Sequence, residues 1–196
     1  MSVRNLERMF APDSVAIIGA SKRPGSVGAT VLRNVIAAGF NAPLFPVNPK
    51  YQTLDGLQVY PGVAELPQAP ALAISCTPAA TIPAIVHQLG ERGTRAAIIL
   101  SAGFGAQEDS QGRTLRQAVL DAARPYVLRL LGPNCVGLLV PGIGLNASFA
   151  HTGASPGRIA FVSQSGGMVT GVLDWARSRG IGFSKFISLG ESADVD

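Results

Sequence analysis

Residues 14–28 read Ser-Val-Ala-Ile-Ile-Gly-Ala-Ser-Lys-Arg-Pro-Gly-Ser-Val-Gly and decide the fold of this chain. The apolar run Val15–Ile18 is typical of a buried strand. Gly19, Gly25 and Gly28 follow it, and an apolar stripe at helical spacing comes after them. A strand, a glycine-rich loop and a helix start bring backbone N–H groups and the positive end of the helix dipole toward an anion. The stretch therefore predicts a phosphate-binding loop in a nucleotide-binding α/β domain.

The alternation of strands and helices continues through the first two thirds of the chain. Apolar runs bounded by turn residues predict strands at 15–18, 44–47, 72–76, 96–100 and 127–131. Stretches closed by glycine or proline predict helices at 27–38, 79–92 and 108–123, with one short helical candidate at 63–66. This order predicts right-handed βαβ units and a mainly parallel, doubly wound sheet.

A change of composition at 141–157 divides the pattern. Gly, Pro, Ser and Asn are frequent there and no period is visible, so we interpret the segment as an interdomain linker. A strand at 159–162, a helix at 167–179 and a strand at 183–189 are predicted beyond it. The expected division is a domain at 1–140, the linker at 141–157, and the first βαβ unit of a second, truncated domain at 158–196.

Composition narrows the function classes. Hydrophobic residues make up 47% of the chain and charged residues 14%, which suits strands buried on both faces. The net charge is +4, but the basic residues are scattered, so we expect anionic small molecules and no nucleic acid as partners. The absence of a long apolar stretch predicts no membrane span and a cytoplasmic protein. Cys76 and Cys135 are expected to be free thiols, and no metal site is predicted.

The ligand of the glycine loop is indicated by the charges near it. The loop is longer than a dinucleotide fingerprint and carries Lys22 and Arg23 beside the expected phosphate position. Domains that bind NAD usually have an acidic residue at the end of the second strand, whereas this chain has Asn48-Pro49-Lys50. These residues favour a ligand with more phosphate charge than NAD. The alternative is that the glycines only turn the chain and Lys50 is solvated.

Several segments, in order, resemble the CoA-binding region of the NDP-forming acyl-CoA synthetases, the superfamily of the succinyl-CoA synthetase α subunit. Two of them are Leu-Gly-Pro-Asn-Cys-Val-Gly at 131–137 and Phe-Val-Ser-Gln-Ser-Gly-Gly at 161–167. The others lie at 10–21, 46–50, 145–149, 173–176 and 182–190. The resemblance spans essentially the whole chain. It implies a Rossmann-like CoA-binding domain followed by the start of a flavodoxin-like succinyl-CoA ligase domain.

In such enzymes a carboxylate, CoA and a nucleoside triphosphate give an acyl-CoA, a nucleoside diphosphate and phosphate through a phosphohistidine. The resemblance therefore implies CoA or acyl-CoA as cofactor here, with NTP and Mg²⁺ only in an intact parent that also carries an ATP-grasp portion. The alternative is an acyl-CoA-sensing regulatory domain attached to a GNAT-type protein lysine acetyltransferase. A third hypothesis is an NAD(P)-dependent oxidoreductase. The isolated chain is expected to bind without catalysis, and homo-oligomers are a further expectation.

The resemblance also implies roles for individual residues. Gly19, Ser21 and Lys50 correspond to residues on the phosphates of CoA, and Thr77 and Pro78 to the loop near its nucleotide or pantetheine part. The candidate cofactor-binding residues are Gly19, Ser21, Lys22, Arg23, Gly25, Gly28, Asn48, Lys50, Thr77, Pro78, Asn134 and Cys135. The candidate phosphate-binding residues are Ser163, Gln164, Ser165 and Gly166. No catalytic residue is assigned.

Some of these residues have structural alternatives. Thr77 is equally interpreted as the N-cap of the following helix. Asn134 and Cys135, which the resemblance places near the CoA thiol, fit a turn with a small buried cysteine. Ser163–Ser165 is not a hydrolase elbow but fits simple helix capping.

The histidines and the acidic end of the chain receive no chemical role. His151 precedes the position of the family's phosphohistidine, so it is interpreted as an unphosphorylated linker residue, and His87 is interpreted as a surface or boundary residue of a helix. Glu191, Asp194 and Asp196 are interpreted as the cap of a following helix, with a magnesium phosphate group as the alternative.

Overall fold

The apolar runs of the first two thirds of the chain form a parallel sheet in the computed structural model, which describes residues 3–104 and 112–195. The predicted helix at 108–123 lies partly outside these residues, as does Asp196. In chain order the elements are α1 (Leu6–Phe10), β1 (Val15–Ile18), α2 (Val27–Ala37), β2 (Leu44–Val47), β3 (Thr53–Leu54), β4 (Leu57–Gln58), β5 (Leu72–Ser75), α3 (Ile82–Glu91), β6 (Ala96–Ile99), α4 (Leu115–Ala123), β7 (Arg129–Leu131), β8 (Gly137–Val140), β9 (Leu145–Ser148), β10 (Pro156–Ser163), α5 (Gly166–Ser178) and β11 (Phe183–Ser188).

The first sheet is doubly wound, as predicted. Its strand order is β2-β1-β5-β6-β7, and all four neighbouring pairs are parallel. β1, β5, β6 and β7 are buried along their whole length, because α2 covers one face while α3 and α4 cover the other. The order reverses between β1 and β5, where the chain turns from one side of the sheet to the other. Open α/β sheets leave a crevice for ligands at such a point.

The crossover from β2 to β5 differs from the prediction. Residues 63–66 form a bend and a turn instead of a short helix. The small hairpin β3–β4 precedes them, and Asp55 and Gly56 at its tip have φ values of 47° and 78°. An Asp-Gly pair with two positive φ angles is a strong two-residue hairpin signal. The hairpin was not predicted because its two short strands are not buried apolar runs.

The segment predicted as a linker contains regular structure. β9 lies within 141–157 and pairs antiparallel with β8 in a second sheet of order β10-β11-β8-β9. β9 was not predicted because polar residues occupy two of its four positions. Asn146 and Ser148 are both buried, and the Ser148 hydroxyl donates to the Asn146 side-chain oxygen at 2.6 Å. Since these two side chains satisfy each other, a buried strand tolerates them.

The predicted βαβ unit after this hairpin is present. β10 and β11 are parallel neighbours, with α5 between them in sequence. β11 also pairs antiparallel with β8, so the second sheet takes strands from both sides of the predicted linker. The domain division therefore stays a prediction, while the chain contains one parallel sheet and one mixed sheet.

The acidic residues after β11 lie beside the first sheet. The backbone N–H groups of Ala193 and Val195 donate to the carbonyls of Gly132 and Leu130. The Asp194 carboxylate accepts from the Leu130 N–H at 2.9 Å and lies 3.0 Å from Nε of Arg129. Asp194 thus pairs with the outer strand β7.

Candidate functional site

A cavity opens where β1, β2 and β5 end. It has a volume of about 690 Å³, within the usual range for small-molecule sites. The predicted residues that line it are Gly19, Ser21, Arg23, Gly28, Asn48, Lys50, Thr77 and Pro78. Residues that the sequence analysis did not assign also line it: Ile18, Ser26, Val27, Val47, Pro49, Tyr51, Pro61, Gly62, Val63, Cys76, Thr81, Ile85 and Gln88. Three loops thus meet at one edge of the sheet.

The glycine loop brings the start of α2 against the end of β1. Gly19 has φ +87°, and a Cβ at Gly28 would lie 2.0 Å from the Gly19 carbonyl oxygen. No side chain fits at this approach, so Gly28 is required for it. Ser26 is the N-cap of α2, its hydroxyl accepting from the Ala29 N–H. Gly25, with φ +75°, turns the loop without lining the cavity.

Asn48 joins the second loop to the first. Its side-chain N–H donates to the Ala20 carbonyl at 2.7 Å, and its side-chain oxygen accepts from the Lys50 N–H at 2.9 Å. The amide therefore holds the two loops together and orients the exposed Lys50. Asn48, a predicted ligand contact, therefore also has a structural role in joining these loops.

Three cations lie on the loops that form the cavity, but they are not equivalent. Arg23 from the first loop and Lys50 from the second line it. Lys22 does not line it: its Nζ lies 5.4 Å from the ring centroid of Tyr51. The sequence predicts Lys22 beside the phosphate and assigns no role to Tyr51. An aromatic residue directly after a loop cation was the available signal.

Thr77 is the centre of a hydroxyl cluster in the third loop. Its Oγ1 lies 3.1 Å from Ser75 Oγ and accepts from Thr81 Oγ1 at 2.9 Å, and its carbonyl accepts from the Ser101 hydroxyl. No side chain caps the 3-10 turn at Ala79–Thr81 or α3. The alternative that Thr77 is a helix N-cap is therefore wrong, because its hydroxyl is bonded to other hydroxyls.

Asn134 and Cys135 are not brought to this cavity. They follow β7, two strands from β5, which is about 10 Å across a sheet. The Asn134 side chain donates to Glu191 at 3.3 Å, and Cys135 is buried with its Sγ 3.4 Å from the Ile99 carbonyl. Burial raises the pKa of Cys135 to about 12, so it is a neutral thiol. The same cause raises the pKa of Cys76, which does line the cavity, to about 12.

Ser163–Gly166 forms a separate feature at the start of α5. Ser165 caps the helix, its hydroxyl accepting from the Met168 N–H at 3.2 Å, and Ser163 accepts from the Ser165 N–H at 3.1 Å. Gln164 donates to the Ser192 hydroxyl at 3.1 Å. Capping is thus present, and an anion role for this loop stays a prediction.

The two histidines lie outside the cavity. His151 Nε2 lies 2.7 Å from an Asp174 carboxylate oxygen, with both side chains exposed. His87 Nδ1 lies 3.1 Å from the Tyr126 hydroxyl on the surface of α3. Within the two described ranges, no group of three or more His, Cys, Asp and Glu side chains could hold a metal ion. No helix in those ranges is long and apolar enough to cross a bilayer.

A doubly wound sheet with a glycine loop and two cations at its switch point defines a nucleotide-binding α/β protein. The comparison with protein families makes the class specific. Residues 13–141 match the CoA binding domain, and residues 156–196 match the succinyl-CoA ligase like flavodoxin domain. The chain belongs to the CoA binding domain family.

Its relatives are CoA ligases. An acetate–CoA ligase (ADP-forming) I of Archaeoglobus fulgidus is 39% identical over 191 residues, covering 97% of this chain and 27% of that protein. The α subunit of an acetate–CoA ligase (ADP-forming) I of Pyrococcus furiosus is 35% identical, covering 98% of this chain and 42% of the subunit. The chain therefore spans less than half of these relatives' length.

The fold also matches a solved relative. The dinucleotide forming acetyl-coenzyme A synthetase 1 of Ca. Korarchaeum cryptofilum, solved in complex with phosphate and ADP, superposes with a TM-score of 0.90. It is 33% identical, and the match covers 97% of this chain and 40% of that one. This chain thus matches the CoA-binding portion of ADP-forming acetyl-CoA synthetases.

Proposed function

We propose that this chain binds CoA or an acyl-CoA as the CoA-binding part of an ADP-forming acyl-CoA synthetase. The observation that carries the proposal is the 690 Å³ cavity at the switch point of the sheet, lined by Arg23 from the first loop and Lys50 from the second. Membership of the CoA binding domain family and the ligase relatives support the same ligand.

Each loop has a physical task in this proposal. The N–H groups at the start of α2, beside Gly19 and Gly28, face an anion such as the diphosphate of CoA. Arg23 and Lys50 neutralise it from the two loops. The Thr77 loop, with the apolar Ile85 and Val63 beside it, offers a less charged surface for the rest of the nucleotide. Asn134 and Cys135 are proposed to lie along the path toward the CoA thiol, beyond β5.

We propose that the ligation itself belongs to the longer protein. That reaction joins a carboxylate to the CoA thiol with NTP and Mg²⁺, through a phosphohistidine that we do not assign to His87 or His151. Ser163–Gly166 is proposed to face that phosphate. The ligase relatives favour a synthetase parent, with an ATP-grasp portion, over a GNAT-fused regulator. Homo-oligomers and a cytoplasmic location remain part of the proposal, and two free thiols suit a reducing compartment.

Titration calorimetry with CoA, acetyl-CoA and NADH tests the proposal. We expect both CoA compounds to bind more tightly than NADH. Lys50→Met should weaken CoA about tenfold, since a charge-assisted contact to phosphate is worth roughly 1.5 kcal/mol or more. Arg33→Met, which removes an exposed cation from α2 away from the cavity, is the control. No heat of binding at millimolar CoA, or tighter binding of NADH, would count against the assignment.

A further inference from the structure

Lys22 contacts the ring of Tyr51, a residue that lines the cavity. Lys22 is exposed, and a free lysine there would lose side-chain entropy by adopting one position. Its Nζ nevertheless lies over the Tyr51 ring, 5.4 Å from the centroid. A ring face attracts a cation, and the attraction is modest when both are wet. The pair therefore biases where the charge stands without fixing it rigidly.

Tyr51 is held in place from two sides. Its ring is half-buried and packs against the core that includes Leu54 and Val59. Its hydroxyl lies 3.5 Å from Ser21 Oγ, which in turn accepts from the Arg23 N–H at 3.0 Å. The ring is thus anchored both to the core and to the glycine loop, so it gives Lys22 a defined support.

The resulting charge arrangement has two parts. Arg23 and Lys50 line the cavity beside the start of α2, whereas Lys22 does not line it and contacts the ring of Tyr51, which does. A single diphosphate at the start of α2 would contact Arg23 and Lys50, the two cations that line the cavity. A third cation, held separately at the rim, suits a second anionic group that is carried apart from the diphosphate.

CoA carries such a group, because its 3′-phosphate is a monoester separate from its diphosphate, and dephospho-CoA lacks it. We propose that Tyr51 is a positioning residue that holds Lys22 at the rim of the cavity to recognise the 3′-phosphate of CoA. This inference rests on the proposed CoA function. It assigns Lys22 to specificity, while Lys50 and Arg23 supply affinity for the diphosphate common to both ligands.

The test measures the dissociation constants of CoA and 3′-dephospho-CoA for the same set of variants. We expect the wild-type chain to prefer CoA by about three- to tenfold, the range between an exposed and a partly buried charge pair. Tyr51→Leu should lower this preference by about two- to fivefold, the strength of an exposed cation–ring contact, and Lys22→Met should bring it close to one. The double variant should lower it no further, since both changes remove one interaction.

Two further variants separate positioning from folding. Tyr51→Phe keeps the ring and should keep the preference for CoA. Arg33→Met, away from the cavity, should change the dissociation constant of neither ligand. If Tyr51→Leu or Lys22→Met weakens both ligands equally, or if Lys50→Met alone abolishes the preference, the inference is wrong. Equal binding of both ligands to the wild type would also overturn it while leaving the CoA function standing. Binding of neither ligand would refute the function and the inference together.

Discussion

Gly28 shows how one residue sets the geometry of the phosphate loop. Its missing side chain lets the first turn of α2 touch the end of β1, where a Cβ would lie 2.0 Å from the Gly19 oxygen and 2.9 Å from the Gly19 carbonyl carbon. Both contacts are to backbone, so no flexible side chain can move aside. The position of the helix start, and of its N–H groups, depends on this approach.

Gly28→Ala should lower the free energy of unfolding by roughly 1–3 kcal/mol, because the added methyl group forces the helix away from the strand. CoA binding should weaken as well, since the helix N–H groups move. The matched control is Gly171→Ala in α5, where a Cβ meets nothing within 4 Å. That change should stabilise by about 0.5–1 kcal/mol through helix propensity. Urea unfolding measures both, and an unchanged Gly28→Ala stability would contradict the close approach.

The two cysteines should be unreactive in the native chain. Burial raises the pKa of Cys76 and Cys135 from 9.0 to about 12, so the folded state holds both protons more tightly than the unfolded chain. Their contribution to stability is therefore fully present below pH 9 and is lost as the pH rises toward 12. At pH 8 we expect iodoacetamide to alkylate both thiols slowly in the native chain and rapidly in the chain unfolded by urea. Mass spectrometry measures the extent of alkylation in each case. Rapid native labelling of Cys135 would show an exposed or ionised thiol.

At the scale of elements, buried apolar runs were predicted well and polar strands were not. β1, β2, β5 and β6 were found within a residue of their ends because each is a short apolar run between turns. β9 was missed because Asn146 and Ser148 interrupt its apolar pattern while bonding to each other. The consequence is structural: the segment interpreted as a linker packs on α2 in the same core.

Asn34 links α2 to the end of β9. Its side-chain N–H group donates to the carbonyls of Ser148 and Ala150, both at 2.9 Å. Asn34→Ala leaves two part-buried carbonyls without this donor, and we expect a loss of about 1–3 kcal/mol in the free energy of unfolding. Arg33→Ala, at the exposed position just before Asn34, should change the free energy of unfolding by less than about 0.5 kcal/mol. Equal effects in urea unfolding would show that the link does not stabilise the packing.

At the scale of the whole molecule, the C-terminal residues pack against strands from earlier in the chain. β11 pairs with β8, with Phe186 opposite Leu139 and Ile187 opposite Leu138. The strand-like contacts of Ala193 and Val195 cover the outer edge of β7. In contrast, β10 is an exposed edge, and Ile159, Val162, Met168 and Trp175 are each more than half exposed. If the chain acts within a longer synthetase, as proposed, we expect a further part of that protein to cover this face.

Removal of residues 156–196 should abolish cooperative unfolding of the remainder. The shortened chain loses β11 and Asp194, which exposes Leu138, Leu139 and the edge of β7. Thermal unfolding followed by near-UV circular dichroism, with the full chain as reference, measures the effect. A sharp transition in the shortened chain would instead establish residues 1–155 as an independent folding unit.

The sequence predicts the parallel sheet, the glycine loop and the family, because these depend on contiguous residues: an apolar run, a turn and a helical stripe. It also placed Lys50 and Thr77 at the cavity, since loops after parallel strands meet at one edge.

The folded structure was needed to show which cations line the cavity, where Asn134 and Cys135 lie, and that β9 joins a sheet. Lys22 is drawn to the ring of Tyr51, almost thirty positions later in the chain, and Asp194 to Arg129. Such contacts join residues far apart in sequence, and their energies depend on distances and burial that exist only once the chain has folded.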